Sequence, residues 1–533
     1  MSTTQLAQVL IDGRFRSATN PLGSFHAFDP TTRRELEPEF PISGREDVAA
    51  ALKAAVRAVD ELEQLSPEAR AHFLELYAAE LEKNAEQLVA AAARETALPA
   101  ATRLRQVELP RTVNQLRTAA AAVRKRDWCL ATIDTRSGLR ARFGALGGAV
   151  LVLGPNNFPF AFNAVSGGDF AAAIAAGNPV IAKAHPSHPE TTRLLADRAL
   201  AALTDSRLPR ATLQLLYHVP EELGLELVTR AEVGATAFTG SKRAGLKLKA
   251  AADRAGKPIY LEMSSSNPVF FLPGALRERG QKLADELYES CTLGAGQFCT
   301  RPGLSVIVDG PEAKAFLDAL ESRFSSGTAG TLLSRSVESG LEANVAELTA
   351  AGARLVTGGK PVPDAGYCFA NTLLRVNARE FLERAEALQA DCFGGVHLVV
   401  SARDFAELLA VARALLGNLT GSIYSDTVGS DDAAYLELAS IVRRRVGRLL
   451  NDKMPTGVAV SSAMNHGGPF PATGHPGFTA VGMPASLLRF AALHSYDNVR
   501  PARLPPELAD KNPTGKMWRY VDGEWTQRDL GVA

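Results

Sequence analysis

Short apolar runs alternate with helical patterns between residues 148 and 263, and this alternation restricts the fold more than any other feature of the chain. The runs are GGAVLVLG, NPVIAKA, ATLQLLYHV, GATAFTG and KPIYLEM. Strands that alternate with helices form a mostly parallel sheet with helices on both faces. We therefore predict an α/β fold with a doubly wound parallel sheet, in which ligands bind at the carboxyl ends of the strands.

Polar residues stand at the ends of several of these runs. They are Asn157, Lys183, Ser241 and Glu262. Because the carboxyl ends of parallel strands share one edge of a sheet, we predict that these side chains converge on one crevice.

Two further regions flank this one. Residues 45–126 are rich in Ala, Leu, Glu and Arg, and the helical spacing of their apolar residues predicts a helical N-terminal part. A second α/β region is predicted over 276–452, with Cys299 near its start. Because 533 residues exceed what one core serves, we expect about three domains or subdomains.

The segment GAGQFCTRPG presents Cys299 between glycines and a proline. A nucleophilic cysteine must ionise readily, be partly exposed and lie near N–H groups that hold the charge formed on an attacked carbonyl. Small neighbours let a substrate approach such a thiol. The alternative is that Cys299 is a small buried core residue, which is the commoner role of a free cysteine.

Two more segments supply groups that thiol chemistry on a carbonyl requires. In LGPNNFPFAF, Asn157 stands in the turn after a buried run, where its amide would donate to a developing oxyanion. The alternative for Asn157 is ordinary turn chemistry. In IYLEMSSSNPVFFL, Glu262 follows an apolar run, so its carboxylate would act as a general base at the mouth of a cleft. The alternative for Glu262 is a surface position.

Together these motifs resemble those of the aldehyde dehydrogenase superfamily, in the same order and over most of the chain. The segments FTGSKRAG, VIAKAHPSHPETT and DCFGG extend the resemblance to the cofactor-binding parts of that family. The segments KAHPSHP, EMSSSNPVFFLP, GQFCTRPGL, MNHGGPFPAT and WRYVDGEWT are most similar to one branch, which contains α-ketoglutaric semialdehyde dehydrogenases and NADP-dependent fatty aldehyde dehydrogenases.

The resemblance implies the aldehyde dehydrogenase fold, with a Rossmann-like cofactor domain, an α/β catalytic domain and a small oligomerisation arm. It implies NAD(P)+-dependent oxidation of an aldehyde to an acid through a thiohemiacetal and a thioester on Cys299, with α-ketoglutaric semialdehyde as the expected substrate. The alternatives are a fatty or aliphatic aldehyde, acyl transfer to coenzyme A, and a non-catalytic dinucleotide-binding relative. Acyl transfer is disfavoured because relatives that perform it commonly lack the base that Glu262 supplies.

The resemblance also implies which residues bind the cofactor. They are Pro155, Lys183, Gly240, Ser241, Gly245, Asp391 and Phe393. Asp391 stands where the family usually has glutamate, and Gly395 where it usually has proline. We therefore expect the contact with the nicotinamide ribose to be one methylene shorter, or its loop to be more mobile.

The sequence leaves the choice between NAD+ and NADP+ open. The HPSHP motif leaves room for the 2′-phosphate of NADP+, whereas the two glutamates of VPEELG would repel that phosphate.

The resemblance also sets the expected domain boundaries. They are 1–128 and 150–275 for the cofactor domain, 276–452 for the catalytic domain, 129–149 and 453–499 for the bridging or oligomerisation segments, and 500–533 for a C-terminal extension. The bridging segments imply a homodimer or homotetramer. The aromatic residues of WRYVDGEW predict that the extension docks on the body.

Composition excludes several other classes of function. The 58 basic and 58 acidic residues balance, so the charge indicates no nucleic-acid partner and no anionic membrane surface. The N terminus turns polar after Ile11 and the apolar runs are too short for a bilayer, so we expect a cytoplasmic protein. The family resemblance implies that its partner is a small-molecule aldehyde substrate. The scattered cysteines have neither disulfide nor metal spacing.

The histidines and two arginines of the quoted motifs receive no catalytic role. Prolines interrupt HPSHP and no Cys, Asp or Glu cluster accompanies it, so we interpret His185, His188 and His466 as residues that shape turns, and we expect no metal. Arg111 and Arg117 lie on the helical pattern RTVNQLR, where arginines are ordinarily exposed or paired with acids. Nothing in the sequence favours either as an anchor for a substrate carboxylate.

Overall fold

The structure is a computed structural model that describes residues 6–263, 265–363 and 366–531. Two mostly parallel sheets with helical connections form its core, so the predicted α/β class is confirmed. None of the helices in these ranges is long and apolar enough to cross a bilayer.

Strands and helices alternate through most of this chain. The strands are β1 (Val9–Ile11), β2 (Arg14–Arg16), β3 (Ser24–Phe28), β4 (Glu35–Pro41), β5 (Thr132–Ile133), β6 (Arg140–Ala145), β7 (Ala149–Leu153), β8 (Val180–Lys183), β9 (Leu213–Leu216), β10 (Val233–Thr239), β11 (Ile259–Glu262), β12 (Val269–Phe271), β13 (Leu304–Val308), β14 (Arg354–Thr357), β15 (Thr372–Asn377), β16 (Val396–Ala402), β17 (Asn418–Tyr424), β18 (Val446–Asn451), β19 (Ala491–Tyr496), β20 (Arg519–Val521) and β21 (Glu524–Thr526). The α-helices are α1 (Arg45–Glu63), α2 (Pro67–Lys83), α3 (Ala85–Thr96), α4 (Leu109–Lys125), α5 (Gly168–Ala176), α6 (Pro189–Asp205), α7 (Glu221–Thr229), α8 (Lys242–Arg254), α9 (Pro273–Thr292), α10 (Pro311–Ser326), α11 (Arg335–Ala350), α12 (Ala378–Glu383), α13 (Phe405–Ala414) and α14 (Asp432–Val442).

The first sheet contains the strands that the apolar runs predicted. Its order is β11-β10-β7-β8-β9-β1-β2, in which β7 to β11 are parallel and the unpredicted N-terminal strands β1 and β2 are added antiparallel at one edge. The chain proceeds from β7 through β8 to β9 and then returns to β10 on the other side of β7. Ligands bind in doubly wound sheets where the strand order reverses in this way.

Alanine-rich faces let the predicted N-terminal helices pack closely. α2 packs against α4 and α6, and α4 packs against α5. α5 is apolar on nearly every face and is buried along almost its whole length, as expected of a helix inside a large core. Its other side contacts β7 and β8, so these helices support the strands that carry the crevice.

The second sheet has the order β14-β15-β16-β13-β12-β17-β18 and is parallel except for its edge strand β14. The expected boundary at residue 275 is too late in the chain, because β12 pairs with β13 and β17 in this second sheet. The two sheets separate between Glu262, which ends β11, and Val269, which begins β12.

A third sheet joins distant parts of the chain in the order β19-β6-β5-β20-β21. Strands β5 and β6 belong to the expected bridging segment 129–149. Of the expected segment 453–499, only β19 enters this sheet, which corrects that boundary. The C-terminal extension does more than dock, because β20 pairs in parallel with β5 and β21 closes a hairpin. The buried Arg519 of β20 donates to backbone carbonyls of the extension.

Candidate active site

Cys299 lies in a loop after α9 and is partly exposed, whereas the other cysteines are buried. The loop turns because Gly296 adopts a positive φ of 74° beside the backbone of Gly394. A Cβ on Gly296 would collide with the Gly394 carbonyl carbon, so only glycine fits there.

Residues 266–267, just after β11, hold the backbone of this nucleophile loop. Asn267 Nδ2 donates to the carbonyls of Cys299 and Arg301, each at 2.9 Å. Asn418, on β17, accepts the backbone N–H groups of Ser266 and Asn267 at 2.9 and 3.0 Å. The sequence motif gave no role to these residues, and the structure shows that they position the thiol.

Glu262 lies beside Cys299 and is 1% exposed. Its Oε1 contacts His466, and its Oε2 is buried without a hydrogen-bond partner among the described residues. A carboxylate oxygen that lacks a partner in a crevice is suited to accept a proton.

His466 joins the thiol to the carboxylate. Its Nε2 lies 2.8 Å from Glu262 Oε1 and 3.4 Å from Cys299 Sγ. The interpretation of His466 as a residue that only shapes a turn is therefore wrong, because its ring contacts both a cysteine and a glutamate. The three groups offer ligand atoms that all lie within 4.8 Å of one another, which makes them the candidate cation-binding group of the described chain.

The irregular segment after β18 brings His466 to this place. The His466 N–H donates to Thr479 Oγ1 at 3.0 Å. The Met263 N–H donates to the Ala472 carbonyl at 2.8 Å, which attaches the segment to the end of β11. Much of the expected bridging segment 453–499 therefore forms a wall of the candidate active site instead.

The surroundings of Cys299 favour its neutral form. Burial raises the pKa of its thiol well above the ordinary value, and the charge of Glu262 raises it further. Arg111 acts in the opposite direction. The resting thiol is therefore protonated at neutral pH, and the Glu262–His466 pair is positioned to receive its proton.

Asn157 lies in the turn after β7 and faces the nucleophile loop. Its Nδ2 donates to the Gln297 carbonyl at 2.9 Å, and the side chain is buried. An amide nitrogen carries two protons, so a second N–H remains for an oxyanion formed beside Cys299. This position agrees with the predicted role, which stays a prediction.

The residues predicted to bind the cofactor after β10 lie across the point of strand reversal from Asn157. Ser241 caps α8, since its Oγ accepts the Ala244 N–H at 3.3 Å, and the start of a helix suits a phosphate group. Gly245 lets α8 approach β11 closely, because a Cβ there would lie 2.8 Å from Met263 Sδ. Gly240 is similarly confined, with the Phe238 ring 2.7 Å from the place of a Cβ.

Lys183 ends β8 at the same edge, and burial lowers the pKa of its ammonium group to about 8. Its Nζ donates to the Ala184 carbonyl at 2.9 Å, and within the described ranges no carboxylate lies at ion-pair distance from it. An uncompensated cation there fits the hydroxyl or phosphate oxygens of a dinucleotide. Nearby, His188 Nε2 donates to the Pro155 carbonyl at 3.0 Å and holds the turn after β7.

Glu221 does not present the free charge that VPEELG suggested. Its carboxylate lies 2.5 Å from Lys247 Nζ on α8, and this pairing lowers the Glu221 pKa. Repulsion of a 2′-phosphate by this residue is therefore smaller than the sequence implied, and the choice between NAD+ and NADP+ remains open.

The DCFGG segment is tied to the nucleophile loop. Asp391 Oδ1 lies 3.5 Å from Nη2 of the buried Arg301, an interaction that competes with the predicted ribose contact. Phe393 packs against the core of the first sheet. The segment therefore contacts both the nucleophile loop and the core of the first sheet, and its predicted contact with the cofactor stays a prediction.

Comparisons of the sequence with a known protein family and with known proteins agree with this geometry. Residues 16–441 match the aldehyde dehydrogenase family. The chain is 38% identical over 518 residues to alpha-ketoglutaric semialdehyde dehydrogenase 2 of Azospirillum brasilense, which covers 94% of this chain and 96% of that protein. It is 35% identical over 498 residues to alpha-ketoglutaric semialdehyde dehydrogenase of Acinetobacter baylyi, with 90% and 92% covered.

Solved structures share the fold. Lactaldehyde dehydrogenase from Escherichia coli aligns with a TM-score of 0.79 at 23% identity, over 92% of this chain and 98% of that one. A 1-pyrroline-5-carboxylate dehydrogenase from Thermus with bound NAD aligns with a TM-score of 0.79 at 23% identity, over 92% of each chain. With the family match and the two long sequence matches, these results show that the chain belongs to the aldehyde dehydrogenase family and is an NAD(P)-dependent enzyme that oxidises aldehydes to carboxylic acids.

Proposed function

We propose that this enzyme oxidises α-ketoglutaric semialdehyde to 2-oxoglutarate with NAD(P)+ as the electron acceptor. The observation that carries the chemistry is the cluster of Cys299, His466 and Glu262, whose reactive atoms lie within 4.8 Å of one another. The substrate is supported by the two relatives of that name, which match 94% and 90% of this chain.

The first step is attack of the Cys299 thiolate on the aldehyde carbon. Glu262 accepts the thiol proton with His466 between them, a carbon–sulfur bond forms, and the carbonyl oxygen takes the negative charge. The second N–H of Asn157 and the backbone N–H of Cys299 hold this oxyanion. One such donor is worth about 10²- to 10³-fold in kcat.

The thiohemiacetal becomes a thioester when it loses a hydride, and a nicotinamide cofactor would supply the hydride acceptor. Glu262 next releases to solvent the proton that it took from the thiol, and its buried Oε2 can then accept a proton from water. The resulting hydroxide attacks the thioester, the carbon–sulfur bond breaks, and the acid leaves while Cys299 regains its proton. Lys183, Ser241 and the start of α8 would hold the sugar and phosphate groups of the cofactor.

An aliphatic aldehyde is the second candidate substrate, favoured by an aromatic wall beside the thiol. Phe298 and Phe158 meet edge to face with ring centres 5.6 Å apart, and Phe158 lies 5.1 Å from Phe162. Such a wall accepts an apolar chain as well as the methylene groups of an oxo acid.

The two candidates are separated by initial rates of nicotinamide reduction with α-ketoglutaric semialdehyde and with pentanal, each with NAD+ and with NADP+. We expect kcat/KM for the oxo acid to exceed that for pentanal by about tenfold or more, since a charged recognition contact is worth at least that much. Preference for pentanal would transfer the assignment to aliphatic aldehydes. Failure to reduce either cofactor with either aldehyde would contradict the reaction itself.

Replacing His466 by alanine is expected to lower kcat about 10²-fold, because the imidazole contacts both the thiol and the base. His466→Gln keeps a donor toward Glu262 and should recover part of this loss. The matched control is His475→Ala, an exposed histidine of the same segment, which should keep the wild-type kcat. Steady-state kinetics decide the matter, and wild-type kcat in His466→Ala would remove His466 from the mechanism.

We also propose that the enzyme acts in the cytoplasm as a homodimer or homotetramer that associates through the third sheet. β19 is an edge strand of that sheet, and its Leu493 is 62% exposed. An edge strand with exposed apolar side chains offers its backbone groups and its surface to a second chain.

A further inference from the structure

We propose that Arg111 binds the carboxylate at the far end of the substrate and thereby selects oxo-acid aldehydes over neutral ones. The proposal rests on the proposed function and deepens it, because it identifies the group that would recognise the charge of α-ketoglutaric semialdehyde.

Arg111, on α4, lies one aromatic side chain away from the reacting thiol. Its Cζ is 5.2 Å from the centre of the Phe162 ring and 5.6 Å from that of Phe158. The Phe162 ring lies 5.8 Å from the ring of His466, whose Nε2 is 3.4 Å from Cys299 Sγ. A substrate with its aldehyde at Cys299 can therefore extend past Phe162 to the guanidinium.

The length of the substrate matches this arrangement. Four carbon–carbon bonds of about 1.5 Å separate its aldehyde carbon from its carboxylate carbon, which places the two about 5 Å apart in the extended form. This distance is of the same order as the separations along the path, which are 5.2 Å from Arg111 Cζ to the Phe162 ring and 5.8 Å from that ring to the His466 ring.

Arg111 has an unused donor. Its Nε donates to Gln115 Oε1 at 3.2 Å, and Gln115 Nε2 donates to the Ala161 carbonyl at 3.2 Å, so the side chain is held in place. Its Nη2 is buried and has no hydrogen-bond partner among the residues that the structure describes. Buried donors are ordinarily satisfied, and a carboxylate accepts a pair of guanidinium N–H groups side by side.

The other candidate arginines are already occupied. Arg103, which stacks on the same aromatic wall, pairs with Glu108 at 2.5 Å. Arg448, on β18, has a buried Nε without a partner among the described residues, but both of its terminal Nη groups donate to the backbone carbonyls of Pro455 and Gly457. Arg117, the second arginine of RTVNQLR, pairs with Glu82 at the surface, 2.6 Å away. Arg111 differs from these arginines because its buried unpaired donor is a terminal Nη group, the part of a guanidinium that faces a carboxylate.

The test compares Arg111→Gln, Arg111→Lys and the control Arg117→Gln on α-ketoglutaric semialdehyde and on pentanal. In Arg111→Gln we expect kcat/KM for the oxo acid to fall about 30-fold or more, mainly through KM, and that for pentanal to stay near the wild-type value. Arg111→Lys should recover part of the loss, because an ammonium keeps the charge but not the paired N–H groups. Arg117→Gln should behave as wild type with both aldehydes.

A second readout does not depend on turnover. The product 2-oxoglutarate should protect Cys299 from iodoacetamide in the wild type and in Arg117→Gln, and should lose this protection in Arg111→Gln. If the wild type prefers the oxo acid but Arg111→Gln retains both the preference and the protection, the role of Arg111 is wrong. Equal losses on both aldehydes in Arg111→Gln would also overturn it, in favour of a structural role. A wild type without preference for the oxo acid would instead overturn the proposed substrate.

Discussion

Replacing Cys299 by alanine is expected to lower kcat/KM for aldehyde oxidation by about 10⁴-fold or more, because the variant lacks the thiol that forms the covalent bond to the substrate. Cofactor affinity should change little, since Lys183, Ser241 and the start of α8 lie on the first sheet and not in the nucleophile loop. Initial rates and a fluorescence titration with reduced nicotinamide check both expectations.

The matched control is Cys129→Ala. Cys129 is buried in the core around the first sheet and lies outside the cluster of Cys299, His466 and Glu262, so it takes no part in nucleophilic chemistry. The control should retain the wild-type rate. Wild-type turnover in Cys299→Ala would show that another group is the nucleophile.

Replacing Glu262 by glutamine is expected to leave a first turnover, because His466 still lies 3.4 Å from the thiol and can take its proton. The same change should lower kcat about 10²- to 10⁴-fold, because no carboxylate then activates the hydrolytic water. The amide oxygen can still accept from His466, so the site should keep its shape. Rapid mixing should show a burst close to one reduced nicotinamide per active site, followed by a slow steady state. A first turnover as slow as the later ones would contradict this expectation, because it would show that thiol deprotonation, and not only hydrolysis, requires the Glu262 carboxylate.

The same variant should make the thiol easier to ionise. Burial and the Glu262 charge both raise the pKa of Cys299, so wild-type alkylation by iodoacetamide should become fast only at high pH. Glutamine removes the negative charge, which lowers the thiol pKa and moves the alkylation profile to lower pH. An unchanged profile would mean that the carboxylate does not repel the thiolate.

The sequence could predict the crevice because its polar residues end buried strands. A parallel sheet brings the ends of β7, β8, β10 and β11 to one edge whatever the loops do, and the apolar runs that form these strands are unambiguous. The observed placement of Asn157, Lys183, Ser241 and Glu262 follows from that rule.

The contact between His466 and Glu262 could not be predicted in this way. The two residues are 204 positions apart, and His466 lies in an irregular segment without a periodic pattern. The local sequence of this segment predicts turns. Tertiary hydrogen bonds, such as that from the Met263 N–H to the Ala472 carbonyl, bring the segment to the site. The unpaired donor of Arg111 could not be predicted for a similar reason. Helical spacing places an arginine on a helix but does not show which residues of other elements it contacts.

The most direct test of covalent catalysis at Cys299 is the mass of the peptide that contains it, after Glu262→Gln is mixed with α-ketoglutaric semialdehyde and NAD(P)+. A thioester predicts that this peptide gains the mass of the aldehyde less two hydrogens, in an amount equal to the burst of reduced nicotinamide. An unmodified Cys299 peptide in a sample that has completed the burst would contradict the covalent mechanism.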